Sequence, residues 1–154
     1  MQQVNKIEFW KERIDEAEDI HLSVYNCHNS LWEETNENHK KIIDKFVKGK
    51  VLDAGCGYGR LSELFDDYTG VDFSPDFIDK AKELYPDKKF LVENLKDLSF
   101  EDNEFDWAIC VSIKGMIEHY ESFEAWNKME AELKRVANKV LLLEYTDSIN
   151  YEII

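Results

Sequence analysis

The sequence predicts an α/β fold: a mostly parallel sheet, doubly wound, with helices on both faces. Three observations predict it. From Lys50 onward, short apolar runs alternate with helix-patterned stretches at the spacing of strand–helix–strand units. The first apolar run leads straight into a turn carrying glycine at positions 55, 57 and 59. The chain holds only 2 prolines and 6 glycines, and they mark element boundaries.

The elements follow in order. Residues 6–20, KIEFWKERIDEAEDI, place Ile7, Trp10, Ile14 and Ala17 at helical spacing. SLWE (30–33) reads as a capping box with Ser30 as N-cap, opening a helix that carries Ile42, Ile43, Phe46 and Val47 inward and stops near Gly49. Strand one is KVLDA (50–54), followed by a helix around Arg60–Asp66, and strand two is YTGVD (68–72). Ser74 caps the next helix with Pro75 in its first turn, and Pro86 closes it. Strand three is KKFLVE (88–93) and strand four FDWAICV (105–111); a helix from about Ser122 to Ala137 leads to strand five, KVLLLEY (139–145).

Composition narrows the function. The 154 residues fit one domain with an ordinary core. No run is long and apolar enough for a membrane span, and the first residues lack the order of a signal peptide, so a cytoplasmic protein is expected. Cys27, Cys56 and Cys110 show neither CxxC spacing nor a histidine cluster, which points to reduced thiols and no metal site; Cys56 and Cys110 read as small packed residues. With 19 basic and 33 acidic residues the net charge is −14, which repels a bare phosphate backbone and argues against direct nucleic-acid binding.

The stretch VLDAGCGYGR (51–60) carries the chemistry. In open α/β sheets the ligand lies beyond the carboxyl ends of the strands, and glycines let the loop backbone turn tightly and approach it. A dinucleotide fingerprint, GxGxxG, would need its third glycine where Arg60 stands, and a phosphate-binding P-loop would end in Gly-Lys-Ser/Thr. The pattern is instead D-x-G-x-G-x-G. Asp53, two residues before the first glycine, would repel a pyrophosphate and suits a ligand with an ammonium or other positive centre.

At these residues the chain resembles the class I S-adenosylmethionine-dependent methyltransferases, particularly their small-molecule branch, from about Val51 to Tyr145. VLDAGCGYGR is similar to the family's first motif, and GVDFSPDFIDKAKE (70–83) to its second; LKDLSFEDNEFDWAIC (95–110) is similar to the segment joining strands three and four. The resemblance implies a Rossmann-like fold with S-adenosyl-L-methionine as cofactor and S-adenosyl-L-homocysteine as product. Asp53, Gly55, Gly57 and Gly59 then hold the methionine part. Asp72, seventeen residues after Gly55, accepts both ribose hydroxyls, and Phe73 lies against the adenine. The family often reads the adenine edge with Asp-Ala after strand three; here Asn94 and Leu95 stand there, with a side-chain oxygen and a backbone N–H for the same task. Val111 ends strand four beside the cofactor.

A sulfonium methyl group is already activated, so alignment with a nucleophile is the main demand on the protein. The acceptor is expected beside VSIKGMIEHYES (111–122), read as a loop, where His119 is the candidate base and Glu118 the second. That segment lacks both the Asn/Asp-Pro-Pro element and the Pro-Cys nucleophile of base-modifying enzymes. Residues 1–49 form a helical lid, 50–145 the cofactor-binding core and 146–154 a tail. In the lid, Tyr25 and His28 are placed to meet substrate and Arg13 to meet the cofactor's carboxylate, while Trp10 and Trp32 pack the lid onto the sheet.

The family core has seven strands, and this chain stops nine residues after Tyr145. Either INYEII returns as one antiparallel strand, or strand five is an edge open to a homodimer. The expected activity is methyl transfer to a small-molecule acceptor. The alternatives are a cofactor-binding homologue without transfer activity, acting as a regulatory or assembly subunit, and a protein methyltransferase with a basic target.

Overall fold

The computed structural model describes residues 6–17, 29–145 and 149–154. Two helices come first, α1 (Lys6–Glu16) and α2 (Asn29–Phe46). The core then runs β1 (Val51–Ala54), a 3-10 turn (Ser62–Leu64), β2 (Tyr68–Asp72), α3 (Pro75–Leu84), β3 (Lys89–Val92), β4 (Phe105–Val111), α4 (Lys114–Tyr120), α5 (Phe123–Val136), β5 (Ala137–Tyr145) and β6 (Ile149–Ile153). The sheet has strand order β3-β2-β1-β4-β5-β6. Pairing is parallel from β3 through β5, and β6 joins β5 antiparallel, with Leu143 opposite Tyr151.

Side chains alternate between two cores, as a pleated strand requires. On one face Val51, Trp107, Ile109, Leu141 and Leu143 meet Ile43 of α2, Val47 just after it, and Ile78 and Ala81 of α3. On the other, Leu52, Ala54, Ala108, Cys110, Val140 and Leu142 meet Trp126, Met129, Leu133 and Val136 of α5. Both Cys56 and Cys110 are buried free thiols. Among the described residues, no helix is long and apolar enough to cross a membrane.

The serine caps form as the sequence predicts. Ser74 Oγ accepts from the Phe77 N–H, with Pro75 in the first turn, and Ser122 Oγ accepts from the Ala125 N–H. Three expectations are corrected. The helix expected at 60–66 is only the 3-10 turn at Ser62–Leu64. Its cause is length: the chain must pass from Arg60 back to the amino end of β2 in seven residues, and an α-helix rises too little per residue to span a strand in that distance. Secondly, α2 already includes Asn29, so Ser30 stands inside its first turn and is not the cap. Helix α1 forms where the spacing predicts it, buries none of its residues fully and leaves Ile7 48% exposed. Finally, of the two readings of the tail the returning antiparallel strand is the one that forms: β6 covers β5, so strand five offers no edge to a homodimer, and the open edge on that side belongs to β6.

Candidate functional site

Strand order reverses between β1 and β4, and the turn after β1 sits at the carboxyl end of that switch point. Gly55, Gly57 and Gly59 there all have positive φ, at 80, 53 and 81°. That backbone is strained for any residue with a Cβ. Space is closed as well: a Cβ on Gly59 would lie 2.6 Å from the Phe90 ring, and one on Gly55 2.7 Å from Ile113 Cδ1. Two of the three glycines therefore answer to the protein's own side chains, Phe90 from β3 and Ile113 from the turn after β4.

Asp72 closes the same turn from β2. Its Oδ2 accepts from the Gly57 N–H and its Oδ1 from the Ser74 N–H, each at 3.0 Å. A carboxylate has about four lone-pair sites, so two amide bonds orient it and leave further acceptor capacity. Burial pushes the Asp72 carboxyl up to about 6, against the pull of those backbone donors. Next to it, Phe73 is 38% exposed, with ring surface available to a planar group.

Asp53, the next-to-last residue of β1, lies on the α2 side of the sheet. It is buried, and the Tyr68 hydroxyl donates to its Oδ2 at 2.7 Å. Burial also raises this carboxyl to about 6, while Tyr68 and the charge of Arg60 pull it down. Above it, the Arg60 guanidinium donates to Asn36 Oδ1 at 2.7 Å, lies 3.1 Å from His39 Nδ1 and stacks over Trp32 at 5.4 Å. Burial, with the Arg60 charge, lowers His39 to about 4.

The turn after β4, beside which the sequence places the acceptor, is built as follows. Val111 is half-buried, Ser112 takes φ 57°, and Ser112 Oγ is a buried oxygen with no hydrogen-bond partner among the described residues. The segment read as a loop is the helix α4. Its first turn is held from β5: Glu144 accepts the Lys114 N–H at 3.0 Å and the Gly115 N–H at 3.3 Å. Glu118 and His119 lie exposed on α4. Asn94 spends its Oδ1 on the Lys96 N–H at 3.1 Å, in a local turn, and the Leu95 side chain is buried in the core.

Helix α1 meets the core at two places. Trp10 packs on Phe77 at 5.7 Å, and Lys6 pairs with Glu121, which also takes Lys96 at 2.8 Å. Helix α1 thus bridges the helix after β2 and the turn beyond α4. Arg13 lies 5.9 and 5.8 Å from the ring centroids of Phe9 and Trp10 on the same helix. Trp32 is buried, a packing residue as expected, whereas Tyr25, Cys27 and His28 fall outside the described residues.

Sequence reading missed Arg60, His39, Tyr68 and Glu144. Arg60 was in view directly after the third glycine. The face of α2 that points inward begins at Trp32 and runs through Thr35, His39 and Ile43 to Val47 just after the helix, so helical spacing carried His39 inward with the apolar residues.

Comparison with known proteins adds the family. The family described as "Methyltransferase domain" matches residues 52–140. An uncharacterised protein of Methanocaldococcus jannaschii, MJ0638, is 29% identical over 113 residues, covering 70% of this chain and 48% of that one. The crystal structure of the PH0226 protein of Pyrococcus horikoshii aligns with a TM-score of 0.65 at 31% identity, over 73% of this chain and 57% of that one. A Methanosarcina mazei structure described as a SAM-dependent methyltransferase aligns with a TM-score of 0.59 at 26% identity, over 68% and 57%. The chain thus spans about half the length of these relatives. From the glycine turn, the aspartate ending β2, the sheet order and the match over its central residues, this chain belongs to the class I S-adenosylmethionine-dependent methyltransferase family.

Proposed function

We propose that this protein transfers a methyl group from S-adenosylmethionine to a small-molecule acceptor. The observation that carries the reading is the joint made by Asp72 with the Gly57 and Ser74 amides. It fixes a carboxylate at the mouth of the switch point, beside an exposed aromatic ring, where adjacent hydroxyls and a purine would be received. Asp72 and Phe73 would hold the nucleoside, and the turn 55–59 with Asp53 the amino-acid arm. Val111, the Leu95 N–H and the remaining acceptor capacity of Asn94 would complete the walls. When bound, the cofactor supplies an activated methyl: the acceptor's lone pair takes the methyl carbon while the C–S pair returns to sulfur, leaving S-adenosylhomocysteine.

The protein's own work is orientation and exclusion of water, and orientation supplies on the order of 7–11 kcal/mol in well-aligned systems. The turn 112–115, fastened by Glu144, shapes the acceptor side, and α1 with α2 covers it. His119 is the base for an acceptor that arrives protonated; Tyr25 and His28 are the substrate contacts from the lid. The acidity of the chain supports an acceptor that is neutral or cationic. A homodimer would form through the open edge of β6, one of the two edge strands.

Calorimetric titration with S-adenosylhomocysteine tests the cofactor reading, with strong loss of affinity expected in Asp72→Ala; equal affinity in the variant rejects it. Incubation of labelled cofactor with fractionated cell extract tests the acceptor class. Label in metabolites supports the proposal, label in protein or RNA replaces the acceptor, and no label at all favours the regulatory alternative.

A further inference from the structure

One row of side chains crosses the α2 face of the sheet at the level of Asp53. The register sets Phe90 of β3, Gly70 of β2, Asp53 of β1, Ile109 of β4 and Leu141 of β5 side by side. Gly70 is the gap in that row. A glycine weakens a strand interior and marks a place where another group comes close. The group here is a phenol: a Cβ on Gly70 would lie 2.8 Å from the Tyr68 hydroxyl and 2.7 Å from the Phe90 ring. Tyr68, two residues earlier on the same face, is buried and reaches through the gap to donate to Asp53 Oδ2 at 2.7 Å. Its ring is clamped, with Phe65 stacked on it at 6.3 Å and Phe90 meeting it edge-on at 5.7 Å.

We propose that Tyr68 is a positioning residue for the site: its hydroxyl, admitted by the gap at Gly70, ties one oxygen of Asp53 and holds that carboxylate as a charged, oriented group facing the ligand at the glycine turn. The inference rests on the cofactor reading above; what it adds is the pair of residues behind Asp53, neither of which touches the ligand. A hydrogen bond to an ionised carboxyl fixes its orientation and favours the ionised form. The bond matters because burial pushes Asp53 up to about 6 even with Tyr68 in place. The other charges that act on Asp53 are Arg60, which favours the carboxylate, and Asp72, which opposes it. The thiols of Cys56 and Cys110 are raised by burial and neutral, and His39 of α2 is neutral above about 4. Ile78 and Ala81, which α3 turns to this face, are apolar. Burial and the Asp53 charge hold the Tyr68 hydroxyl well above its ordinary value, so it stays a donor.

Two readouts on the full chain test it, and the first needs no ligand. Carbon-detected NMR of protein labelled at its aspartate carboxyls follows the titration of Asp53, whose signal is assigned by its loss in Asp53→Asn. In Tyr68→Phe, which keeps the ring, the Asp53 midpoint should rise by about one pH unit, the effect of one charged hydrogen bond lost. Calorimetry with S-adenosylhomocysteine should then find the variant about 5-fold weaker than the native protein at about pH 6 and within about 2-fold of it at about pH 8.5. In the Asp53→Asn background the same substitution should leave the pH dependence of binding where it was. Gly70→Ala, which thrusts a methyl group at the hydroxyl, should reproduce the shift and gives the same reading should Tyr68→Phe fold poorly. An Asp53 midpoint unmoved in both variants, or an affinity loss equal at the two pH values, overturns the proposal. A raised midpoint in a protein whose native form binds no S-adenosylhomocysteine would reject the cofactor reading, and the proposal with it, while leaving the Tyr68–Asp53 tie established.

Discussion

The Gly57 amide donates to Asp72 Oδ2 at 3.0 Å, tying the turn after β1 to the last residue of β2. The bond joins two neighbouring parallel strands at their carboxyl ends, where the backbone of the turn has no regular partner. It makes the charge of one side chain the organiser of the glycine turn.

Titration of Asp72 should therefore appear in binding. Burial places its carboxyl near 6, and hydroxyl donors favour the ionised form. Affinity for S-adenosylhomocysteine should rise as pH rises through about 6 and level off above about 7. Binding near pH 6 should also release protons, measured by calorimetry in two buffers of different ionisation enthalpy. Asp72→Asn should release fewer; unchanged release would separate this carboxylate from the ligand.

Asp53 offers a stability test with a definite sign. Its folded carboxyl is raised to about 6, so the folded state binds the proton more tightly than the unfolded chain does. The ionised group costs stability above pH 6, by about 3 kcal/mol, and the cost disappears as pH falls below about 4. In Asp53→Asn the new amide oxygen would still accept from Tyr68. The substitution should raise stability by about 1–2 kcal/mol at pH 8, since the lost Arg60 attraction offsets part of the gain. Urea midpoints at pH 8 and pH 4.5 check it: the gain should shrink at the lower pH, and a gain independent of pH would contradict the assignment.

Gly59→Ala combines backbone strain with a clash. The φ of 81° and the 2.6 Å approach to Phe90 together predict a loss of about 2–4 kcal/mol. Thermal unfolding should show Phe90→Leu in the same chain recovering the steric share only. Full additivity of the two substitutions would mean that the ring does not set this position.

Glu144→Ala should free the first turn of α4. Two amide bonds at 3.0 and 3.3 Å are lost, which predicts about 1–3 kcal/mol and faster amide exchange at residues 113–117. Because Ile113 packs against Gly55, the same variant should weaken S-adenosylhomocysteine binding. Exchange confined to the β5–β6 pair would instead assign Glu144 to the sheet.

What the sequence revealed, and what it hid, divides by range. Strand–helix alternation, the Ser74–Pro75 and Ser122 caps and the returning strand at Ile149–Ile153 are local signals, and each formed where residues within one element dictate it. Glu144 caps a helix thirty residues earlier in the chain, a contact that only the parallel pairing of β4 with β5 creates. The shortened crossover at Ser62–Leu64 was hidden because LSELF has helical composition, and the distance to Tyr68 overrode it. Around the glycine turn, Asp53 and the glycines stood out by their spacing, and Asp72 by the resemblance to the family's second motif. Arg60 and His39 did not, since a neutral imidazole and a guanidinium meeting across 21 positions leave no periodic trace.

That shortened crossover has a consequence for how this chain can be cut or altered. Where β1 passes to β2 there is no full helix to shield the strands, and Ile43 of α2 and Val47 just after it cover Val51, Leu141 and Leu143 in its stead. The amino-terminal segment is thus masonry for the sheet. A truncated chain beginning at Lys50 should expose a greasy wall and precipitate, and swapping this segment to retune acceptor choice would demand that the donor helix bring matching bulk at both of those positions.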